Sequence, residues 1–504
     1  MSNLLGIDVG TSGVKVLLIS KEGQVVSSKS VSYQLTSLHP GWAEQLPSDW
    51  WGASMKAIQG IIADNLIDPN NIKGISLSGQ MNSPVFLDKK KEVIRPSILW
   101  NDTRTSKQCE EIYEKVGGLD ILISHTYNSA LNSYTAPKIL WVKENEPQNY
   151  KKIKYVLLPK DYVRYKLTNE LFTESSDAAG TLLFDVVKKK WSSYILEKLE
   201  INRNILPPVL NSFDLAGKIT KEVADKTGLK IGTPVIAGGA DNTCGAVGSG
   251  IIEEGRAMMS LGSSGVVVMH TDQPIADQKG RITLFNHACA SSWYILGAAL
   301  SAGISYEWLK KKLLDNLLSY AQLDTLAGRI APGSAGLIFL PYLYGDRTPH
   351  TDAHARGVFF GISAKHNQGH FARSVLEGVI FSLRDSFDLF QEKGLKVKEI
   401  RLIGGGAKSK VWRQISADIL GKEINVLNIE EGPCFGAALI AGVGVGVYKN
   451  ISEAVNGIVK IKKTITPRIE NVKKYDDYYK LYKKLYHSLK EDYEELDRLN
   501  VLYS

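Results

Sequence analysis

The chain opens with three apolar, β-branched segments separated by short polar turns. Apolar residues dominate from Leu4 to Val9 and from Val14 to Ile19, and a third run extends from Val25 to Tyr33. The connecting segments, Gly-Thr-Ser-Gly and Lys-Glu-Gly-Gln, are rich in turn-forming residues. The pattern predicts three strands joined as hairpins.

Farther along, helical patterns alternate with short apolar strands. Three of these predicted strands span Gly74 to Gly79, Tyr155 to Pro159 and Pro234 to Gly239. A helix is predicted to begin near Thr135, which we expect to cap it, because Pro137 suits a first turn. This alternation is typical of an α/β fold.

The second half of the chain repeats the opening segment. The stretch from Arg256 to His270 carries Gly262, Ser263, Ser264 and Gly265 where the opening carries Gly10, Thr11, Ser12 and Gly13, an offset of 252 residues. A second pair, Val235 to Asn242 and Leu402 to Ser409, shares an apolar strand that runs into glycines. Together with a length of 504 residues, this self-similarity predicts two duplicated domains, 1–249 and 250–504.

Composition narrows the class of protein. The net charge of +8 comes from scattered lysines without a basic stripe, which argues against a nucleic-acid partner. Four widely spaced cysteines without a Cys-x-x-Cys motif are typical of reduced thiols. Neither a signal segment nor a long apolar span is evident, so we expect a cytoplasmic protein with no membrane partner.

The first turn carries candidate chemistry. A Gly-Thr-Ser-Gly turn can direct backbone N–H groups and two hydroxyls into one concavity that suits a phosphate, although a plain tight hairpin explains one copy equally well. Asp8 would repel a phosphate at this place unless a divalent cation lay between them, and Mg²⁺ accepts such oxygen ligands. In the repeat, Ser260 replaces Asp8 and Val267 replaces Lys15, which indicates specialised halves.

Two further strand ends are candidates for a site. Asp241 directly follows the strand that begins at Pro234, where it suits either a helix N-cap or a general base. Given a metal-binding Asp8, Asp241 becomes the natural acceptor of a proton from an attacking hydroxyl. The glycines of Gly404 to Ser409 allow close approach to a flat ligand or form a simple turn, and they match neither a Walker A nor a dinucleotide-binding motif.

Several longer motifs carry a family resemblance. They follow in order along most of the chain: GIDVGTSGVKV, HPGWAEQLPSDWW, GQMN, ILWNDTR, TAPKILWV, LLPKDY, SSDAAGT, GGADNTCGAVG, SLGSSGV, FLPYLYGDRTPH, GVFFGI, VLEGV, LIGGGAKSKVWRQISADILG and GPCFGAALIAG. They resemble the FGGY family of carbohydrate kinases in the actin-like ATPase superfamily. The resemblance implies two ribonuclease-H-like domains flanking a deep cleft, with the sugar against the N-terminal side and ATP mainly against the C-terminal side.

The same resemblance implies an activity and its site. It implies transfer of a phosphoryl group from ATP, with Mg²⁺, to D-xylulose, giving D-xylulose 5-phosphate. Asp241 would be the general base, and Asp8 would organise Mg²⁺ and the phosphates. The remaining residues that it implies are Gln80, Met81, Asn82, Trp100, Asp241 and Asn242 for the sugar, and Thr11, Ser12, Gly13, Lys15, Gly262, Ser263, Ser264, Gly265, Gly303, Gly405, Gly406 and Ala407 for the nucleotide.

One residue departs from the pattern and keeps other substrates open. Members of the family that act on xylulose usually carry histidine where this chain has Asn82, and asparagine is shorter and cannot become cationic. Ribulose, a deoxy-ketose or a sugar alcohol therefore stays an alternative. A third reading, a nucleotide-switched protein of the actin-like type, would need no sugar-aligned base. The oligomeric state is open, with a homodimer as one option.

Overall fold

The computed structural model describes residues 2–64, 67–429 and 431–503. They form two compact units, each built from separate segments of the chain. The first unit combines Met1–Ile252, Thr271–Tyr294 and Glu431–Val459, and the second combines Glu253–His270, Ile295–Glu430 and Lys460–Ser504. Because each unit contains three separate segments, a single boundary in the sequence does not describe the two units. The division at 249/250 stays a prediction.

The strands and helices alternate along the chain. The strands are β1 (Asn3–Val9), β2 (Gly13–Ser20), β3 (Val25–Ser32), β4 (Glu44–Gln45), β5 (Ile72–Gly79), β6 (Val85–Leu87), β7 (Ser97–Ile98), β8 (Tyr155–Leu157), β9 (Thr173–Glu174), β10 (Phe184–Asp185), β11 (Lys190–Trp191), β12 (Val209–Leu210), β13 (Leu215–Lys218), β14 (Pro234–Ala240), β15 (Arg256–Leu261), β16 (Gly265–Thr271), β17 (Thr283–Asn286), β18 (Trp293–Ala299), β19 (Ile338–Leu340), β20 (Val358–Phe360), β21 (Glu399–Ile403), β22 (Ile424–Leu427) and β23 (Ile461–Ile465). The helices are α1 (Pro47–Ile62), α2 (Ser106–Val116), α3 (Leu119–Thr126), α4 (Thr135–Asn145), α5 (Pro147–Tyr150), α6 (Pro159–Thr168), α7 (Ser175–Ala179), α8 (Ser193–Lys198), α9 (Lys221–Thr227), α10 (Asp241–Gly248), α11 (Gly303–Trp308), α12 (Tyr320–Arg329), α13 (Gln368–Glu392), α14 (Lys410–Leu420), α15 (Gly432–Gly444), α16 (Ile451–Ile458) and α17 (Ile469–Tyr503).

The main sheet of the first unit has the strand order β13-β14-β5-β1-β2-β3. The three opening strands form the two predicted antiparallel hairpins, while β1 and β5, and β5 and β14, pair in parallel. Helices α1 and α15 pack on this sheet. Leu5, Ile7 and Leu77 are fully buried, as expected for strands whose two faces are both covered.

The second unit repeats this arrangement. Strands β18, β16, β15, β21, β22 and β23 lie side by side in that order. As in the first unit, the first strand, β15, pairs antiparallel with the next strand and parallel with β21, and β21 pairs parallel with β22. The repeated opening segment therefore occupies the same place in both sheets, which supports the predicted duplication and the α/β class.

The second sequence pair does not mark duplicated positions, so that part of the prediction was wrong. Strand β14 is separated from β1 by β5, whereas β21 lies directly beside β15. The shared pattern, an apolar strand that runs into glycines before a helix, is common to many parallel strands. It therefore identifies a local structure and not a place in the sheet.

The two hairpins also differ in register. Val9 pairs with Val14 and leaves four residues in the first turn, whereas Leu261 pairs with Gly265 and leaves three in the second. Their sequences correspond residue by residue at the 252-residue offset, so this difference could not be predicted from the repeat.

Helix α4 begins at the predicted place but is not capped as predicted. Thr135 is its first helical residue and Tyr134 is the capping residue, without a side-chain cap. The Thr135 hydroxyl instead donates to the carbonyl oxygen of Asn82 at 3.0 Å. A tertiary contact has replaced the local one.

The long C-terminal helix α17 packs through a stripe of tyrosines whose hydroxyls are also paired. Tyr475 donates to Glu377 at 2.6 Å, Tyr479 donates to Asp385 at 2.5 Å, and Tyr486 donates to Asp352 at 2.9 Å. Buried phenols usually need such partners. This helix is therefore fixed to α13 and to the loop that contains Asp352.

None of the helices in the described ranges is both long and apolar enough to cross a membrane. All four cysteines are free thiols.

Candidate active site

Three parallel strands of the first unit bring predicted site residues to one edge of the sheet. In the pairing of β1 with β5, Asp8 lies opposite Ser78 and Val9 lies opposite Gly79; in the pairing of β5 with β14, Gly79 lies opposite Ala240. The carboxyl ends of these strands therefore coincide, which is where ligands bind in α/β sheets. Gln80 follows β5 directly, and Asp241 follows β14 directly.

Asp241 is the first residue of α10, and the N-cap position belongs to Ala240, so the capping interpretation was wrong. Its carboxylate accepts the N–H of Asn242 at 2.7 Å. Burial, together with the negative charge of Asp8, raises the pKa of Asp241 to about 7. A carboxyl group with this pKa can accept a proton near neutral pH, as a general base must.

Asp8 lies on β1 directly opposite Lys15 of β2. Burial raises the pKa of its carboxyl, and the nearby Ser78 hydroxyl and the Lys15 ammonium oppose only part of that rise. Among the described residues, Oδ1 of Asp8 is buried and has no hydrogen-bond partner. Such an oxygen fits a magnesium ligand, because Mg²⁺ binds few carboxylates and completes its shell with water and substrate phosphates.

No group of three or more histidine, cysteine or acidic side chains within residues 2–64, 67–429 and 431–503 could enclose a metal ion by itself.

The turn between β1 and β2 is held from several sides. The Gly10 N–H donates to the Gly13 carbonyl at 3.1 Å, and the Tyr33 hydroxyl donates to the carbonyl of Gly10. A Cβ atom on Gly13 would lie 2.7 Å from the carbonyl oxygen of Val31, so β3 leaves no room for a side chain there. These contacts hold the two ends of the turn, at Gly10 and Gly13.

Lys15 is paired with Glu431, which precedes α15. Both side chains are partly exposed, and so the pair contributes little to stability but can orient the ammonium group. The sequence did not point to Glu431, because it lies 416 residues away from its partner.

Gln45 of β4 joins the turn to Gln80 through a closed set of hydrogen bonds. Its Nε2 donates to the Thr11 carbonyl at 2.8 Å, and its Oε1 accepts from Gln80 Nε2 at 3.2 Å and from Trp50 Nε1 at 2.9 Å. The Thr11 hydroxyl donates to Gln80 Oε1 at 3.1 Å and accepts from Trp100 Nε1 at 3.0 Å. We refer to Thr11, Gln45 and Gln80 as the amide ring.

The segment after Gln80 forms the predicted sugar side. The sulfur of Met81 accepts from Asn242 Nδ2 at 3.4 Å and lies 4.0 Å from the Tyr294 hydroxyl. A Cβ atom on Gly180 would lie only 2.2 Å from Oδ1 of Asn82 and 3.0 Å from the Met81 methyl carbon. Gly180 therefore presents bare backbone to both residues.

Asn82 has a left-handed backbone conformation with φ of 70°. Asparagine and histidine adopt this conformation more readily than most residues, which gives a physical reason why one can stand for the other here. Among the described residues, its buried Oδ1 has no hydrogen-bond partner. A ligand hydroxyl could supply one.

A buried ionic cluster supports β14 from behind. Lys160 lies within 3.3 Å of carboxylate oxygens of Asp161, Glu174 and Asp177, and all four side chains are fully buried. Burial alone would lower the pKa of Lys160, but these carboxylates raise it. Glu174 accepts from the Ser176 hydroxyl, whose oxygen in turn accepts the N–H of Ala240, the residue before Asp241.

The second unit assembles the other predicted nucleotide residues at the end of β15. The N–H of Gly303 donates to the Gly262 carbonyl at 2.8 Å, and the N–H of Ala302 donates to the Ser263 carbonyl at 3.0 Å. On the other side, a Cβ atom on Gly404 would lie 2.7 Å from the Leu261 carbonyl, and one on Gly406 would lie 2.7 Å from the Leu261 side chain. Gly405 and Ala407 belong to the same short helical turn.

The predicted residues thus form two groups, one in each unit. The first unit holds the predicted catalytic and sugar residues with Thr11, Ser12, Gly13 and Lys15, and the second holds Gly262, Ser263, Ser264, Gly265, Gly303, Gly405, Gly406 and Ala407. Gln45, Gly180, Tyr294 and Glu431 were missed. Of these, Gln45 and Gly180 lie in motifs that carry the family resemblance, and nothing local distinguishes Gln45 from a surface glutamine.

Two family models match most of the chain. The model of the N-terminal domain of the FGGY family of carbohydrate kinases matches residues 3–248, and that of its C-terminal domain matches residues 257–445.

Individual proteins are similar over nearly the whole length. A xylulose kinase of Bacillus subtilis is 42% identical over 97% of this chain and 98% of its own. The structure of a ligand-bound xylulose kinase from Lactobacillus acidophilus superposes with a TM-score of 0.93 at 27% identity, covering 98% of this chain and 100% of that one. A gluconate kinase from the same organism reaches 0.92 at 27% identity over 98% and 99%.

Proposed function

Because the chain belongs to the FGGY family of carbohydrate kinases, we propose that it phosphorylates the terminal hydroxyl of D-xylulose with ATP. The observation that carries the proposal is Asp241, whose pKa of about 7 and place at the shared strand edge suit a general base. The xylulose kinases among the similar proteins support the choice of sugar.

In this proposal, Asp241 removes the proton from the sugar hydroxyl as its oxygen attacks the γ-phosphorus atom of ATP. The new bond joins that oxygen to phosphorus, and the bond from phosphorus to the β,γ-bridging oxygen breaks, which releases ADP. The proton stays on an Asp241 oxygen. The ionic cluster behind β14 holds the backbone that positions this carboxyl group.

The turn offers the phosphates the backbone N–H groups of Thr11 and Ser12, since that of Gly10 already donates to Gly13, and Lys15 offers a cation. Asp8 would hold Mg²⁺ through its unpaired oxygen. When bound, the ion neutralises charge on the phosphate oxygens. Glu431 keeps the Lys15 ammonium oriented.

The experiment that tests the proposal measures ADP release with and without D-xylulose. We expect release that depends on the sugar, and a loss of about a hundredfold or more in Asp241→Asn, the range typical of a general base. Asp225→Asn, at an exposed position of α9, is the matched control and should behave like the wild type. Near-normal turnover by Asp241→Asn would refute the role of Asp241, and sugar-independent release would favour a nucleotide switch.

A second substrate class is favoured by one observation, the unpaired oxygen of Asn82. It presents an acceptor to the sugar side and cannot supply a positive charge. The same assay over ribulose, deoxy-ketoses, sugar alcohols and gluconate tests this alternative. A kcat/KM for any of these that exceeds the D-xylulose value would reassign the substrate and leave the kinase activity intact.

A further inference from the structure

The amide ring has a fixed direction. An indole N–H can only donate, so Trp50 requires that Gln45 presents Oε1 to it, and Gln45 Nε2 must then face the Thr11 carbonyl. Likewise, Trp100 donates to the Thr11 hydroxyl, whose own hydrogen is then directed to Gln80. Two tryptophans therefore determine the orientation of both amides.

The ring connects two parts of the first unit with different proposed ligands. Thr11 belongs to the turn proposed to hold phosphate, and Gln80 immediately precedes Met81 and Asn82 on the sugar side. Gln45 is 2% exposed and Gln80 is 1% exposed, so water competes little for the bond between them, whereas the bonds to Thr11 are only partly buried. Gln45 forms hydrogen bonds to both Thr11 and Gln80 but belongs to neither segment, since it lies on β4.

We propose that Gln45 is a positioning residue that couples sugar binding to nucleotide binding, an inference that rests on the proposed function. A sugar that orders Gln80 to Asn82 holds Gln80 against Gln45 and thereby fixes the Thr11 carbonyl and the turn. Binding of either ligand then tightens binding of the other, because such coupling is reciprocal.

Calorimetry tests this coupling directly. The affinity for the Mg²⁺ complex of the β,γ-imido analogue of ATP is measured by calorimetry without and with saturating D-xylulose. In the wild type we expect the sugar to tighten analogue binding about three- to tenfold, the range of one or two net hydrogen bonds. In Gln45→Met, which keeps the side-chain length but forms none of the ring bonds, the ratio should fall below about twofold.

Two further variants serve as a second test and as a control. Gln45→Glu keeps the oxygen that accepts from Trp50 and Gln80 and loses only the donor to Thr11, so it should also lose the coupling. It replaces Gln45→Met in the test if that variant does not fold. Gln24→Met carries the same change at an exposed turn and should keep the wild-type ratio. If Gln45 had a merely structural role, its variants would bind the analogue more weakly both without and with D-xylulose, and the ratio of these two affinities would stay unchanged.

The outcomes are distinct from those for the proposed function. A wild-type ratio near one, or a wild-type ratio retained in both Gln45 variants, would overturn the coupling while sugar-dependent ADP release persists. Absence of sugar-dependent ADP release in the wild type would instead refute the proposed kinase activity itself.

Discussion

At the scale of single residues, Asp241 is tuned by its surroundings. A base must be ionised to act, so activity should fall as pH decreases through the pKa of about 7 and level off above it. We expect this in kcat/KM measured at ATP concentrations below KM, which reports the free enzyme.

In Asp8→Asn the remaining activity should show its acid limb at lower pH, because the repelling charge is gone. An unmoved limb would show that Asp8 does not act on Asp241.

The same raised pKa has a consequence for stability. The folded state binds the Asp241 proton more tightly than the unfolded state, so its contribution to stability is present below pH 4 and is lost as pH rises through about 7. Asp241→Asn removes that loss. We expect it to stabilise the protein at pH 8 by as much as about 4 kcal/mol and to change little at pH 4, as measured by denaturant unfolding at both pH values.

Asn82 concerns recognition. Asn82→His keeps a residue type that tolerates the left-handed backbone. We expect it to fold and to change kcat/KM for D-xylulose relative to ribulose by about tenfold, since each buried hydrogen bond gained or lost has that order of effect. Asn82→Ala is the comparison, because alanine neither favours the left-handed backbone nor has a side chain that forms hydrogen bonds. An unchanged ratio in both variants would remove position 82 from substrate choice.

At the scale of elements, glycines set the spacing between the helix that carries Asp241 and its neighbour. A Cβ atom on Gly436 of α15 would lie 1.8 Å from the Cys244 carbonyl of α10. Gly436→Ala should therefore destabilise the protein by about 2 kcal/mol or more and lower activity. Gly52→Ala is the matched control, since nothing beyond its chain neighbours and the α1 backbone lies within 4 Å of its Cβ position, and it should gain up to about 1 kcal/mol from helix propensity. Equal effects in thermal unfolding would contradict the close packing.

The predictability of these elements follows from what each depends on. The opening strands, β5 and β14 could be predicted because their apolar runs are local, and Asp8 and Asp241 could be linked by their chemistry and by the family resemblance. The parallel pairing that brings their strand ends to one edge is seen only in the structure. Gln45 and Glu431 could not, since each acts through a partner distant in sequence. Thr135 shows the converse, a residue with good capping chemistry that a tertiary contact has diverted.

At the scale of the whole molecule, the chain has the two-domain α/β fold of sugar kinases with actin-like ATPase architecture. The repeat predicted that duplication, but not the register of each turn or the separate segments of each unit.

The two groups of site residues predict a division of ligand effects between the units. D-xylulose alone should slow amide hydrogen exchange at Gln80 to Asn82 and at the start of α10. ADP alone should slow it at Gly262 to Gly265 and Gly404 to Ala407. Hydrogen-exchange mass spectrometry resolves these segments, with the exposed strand β3 as an internal reference. Sugar protection confined to the second unit would reverse the proposed assignment.

The bare backbone of Gly180 also constrains how substrate preference can evolve. Position 82 can exchange residues while position 180 stays glycine, but even an alanine at 180 meets Asn82 and Met81. A side chain at 180 therefore requires that Asn82 moves its amide group or is replaced by a smaller residue. Substitutions at the two positions should therefore not be independent: Gly180→Ala should cost less stability after Asn82→Ala than before it.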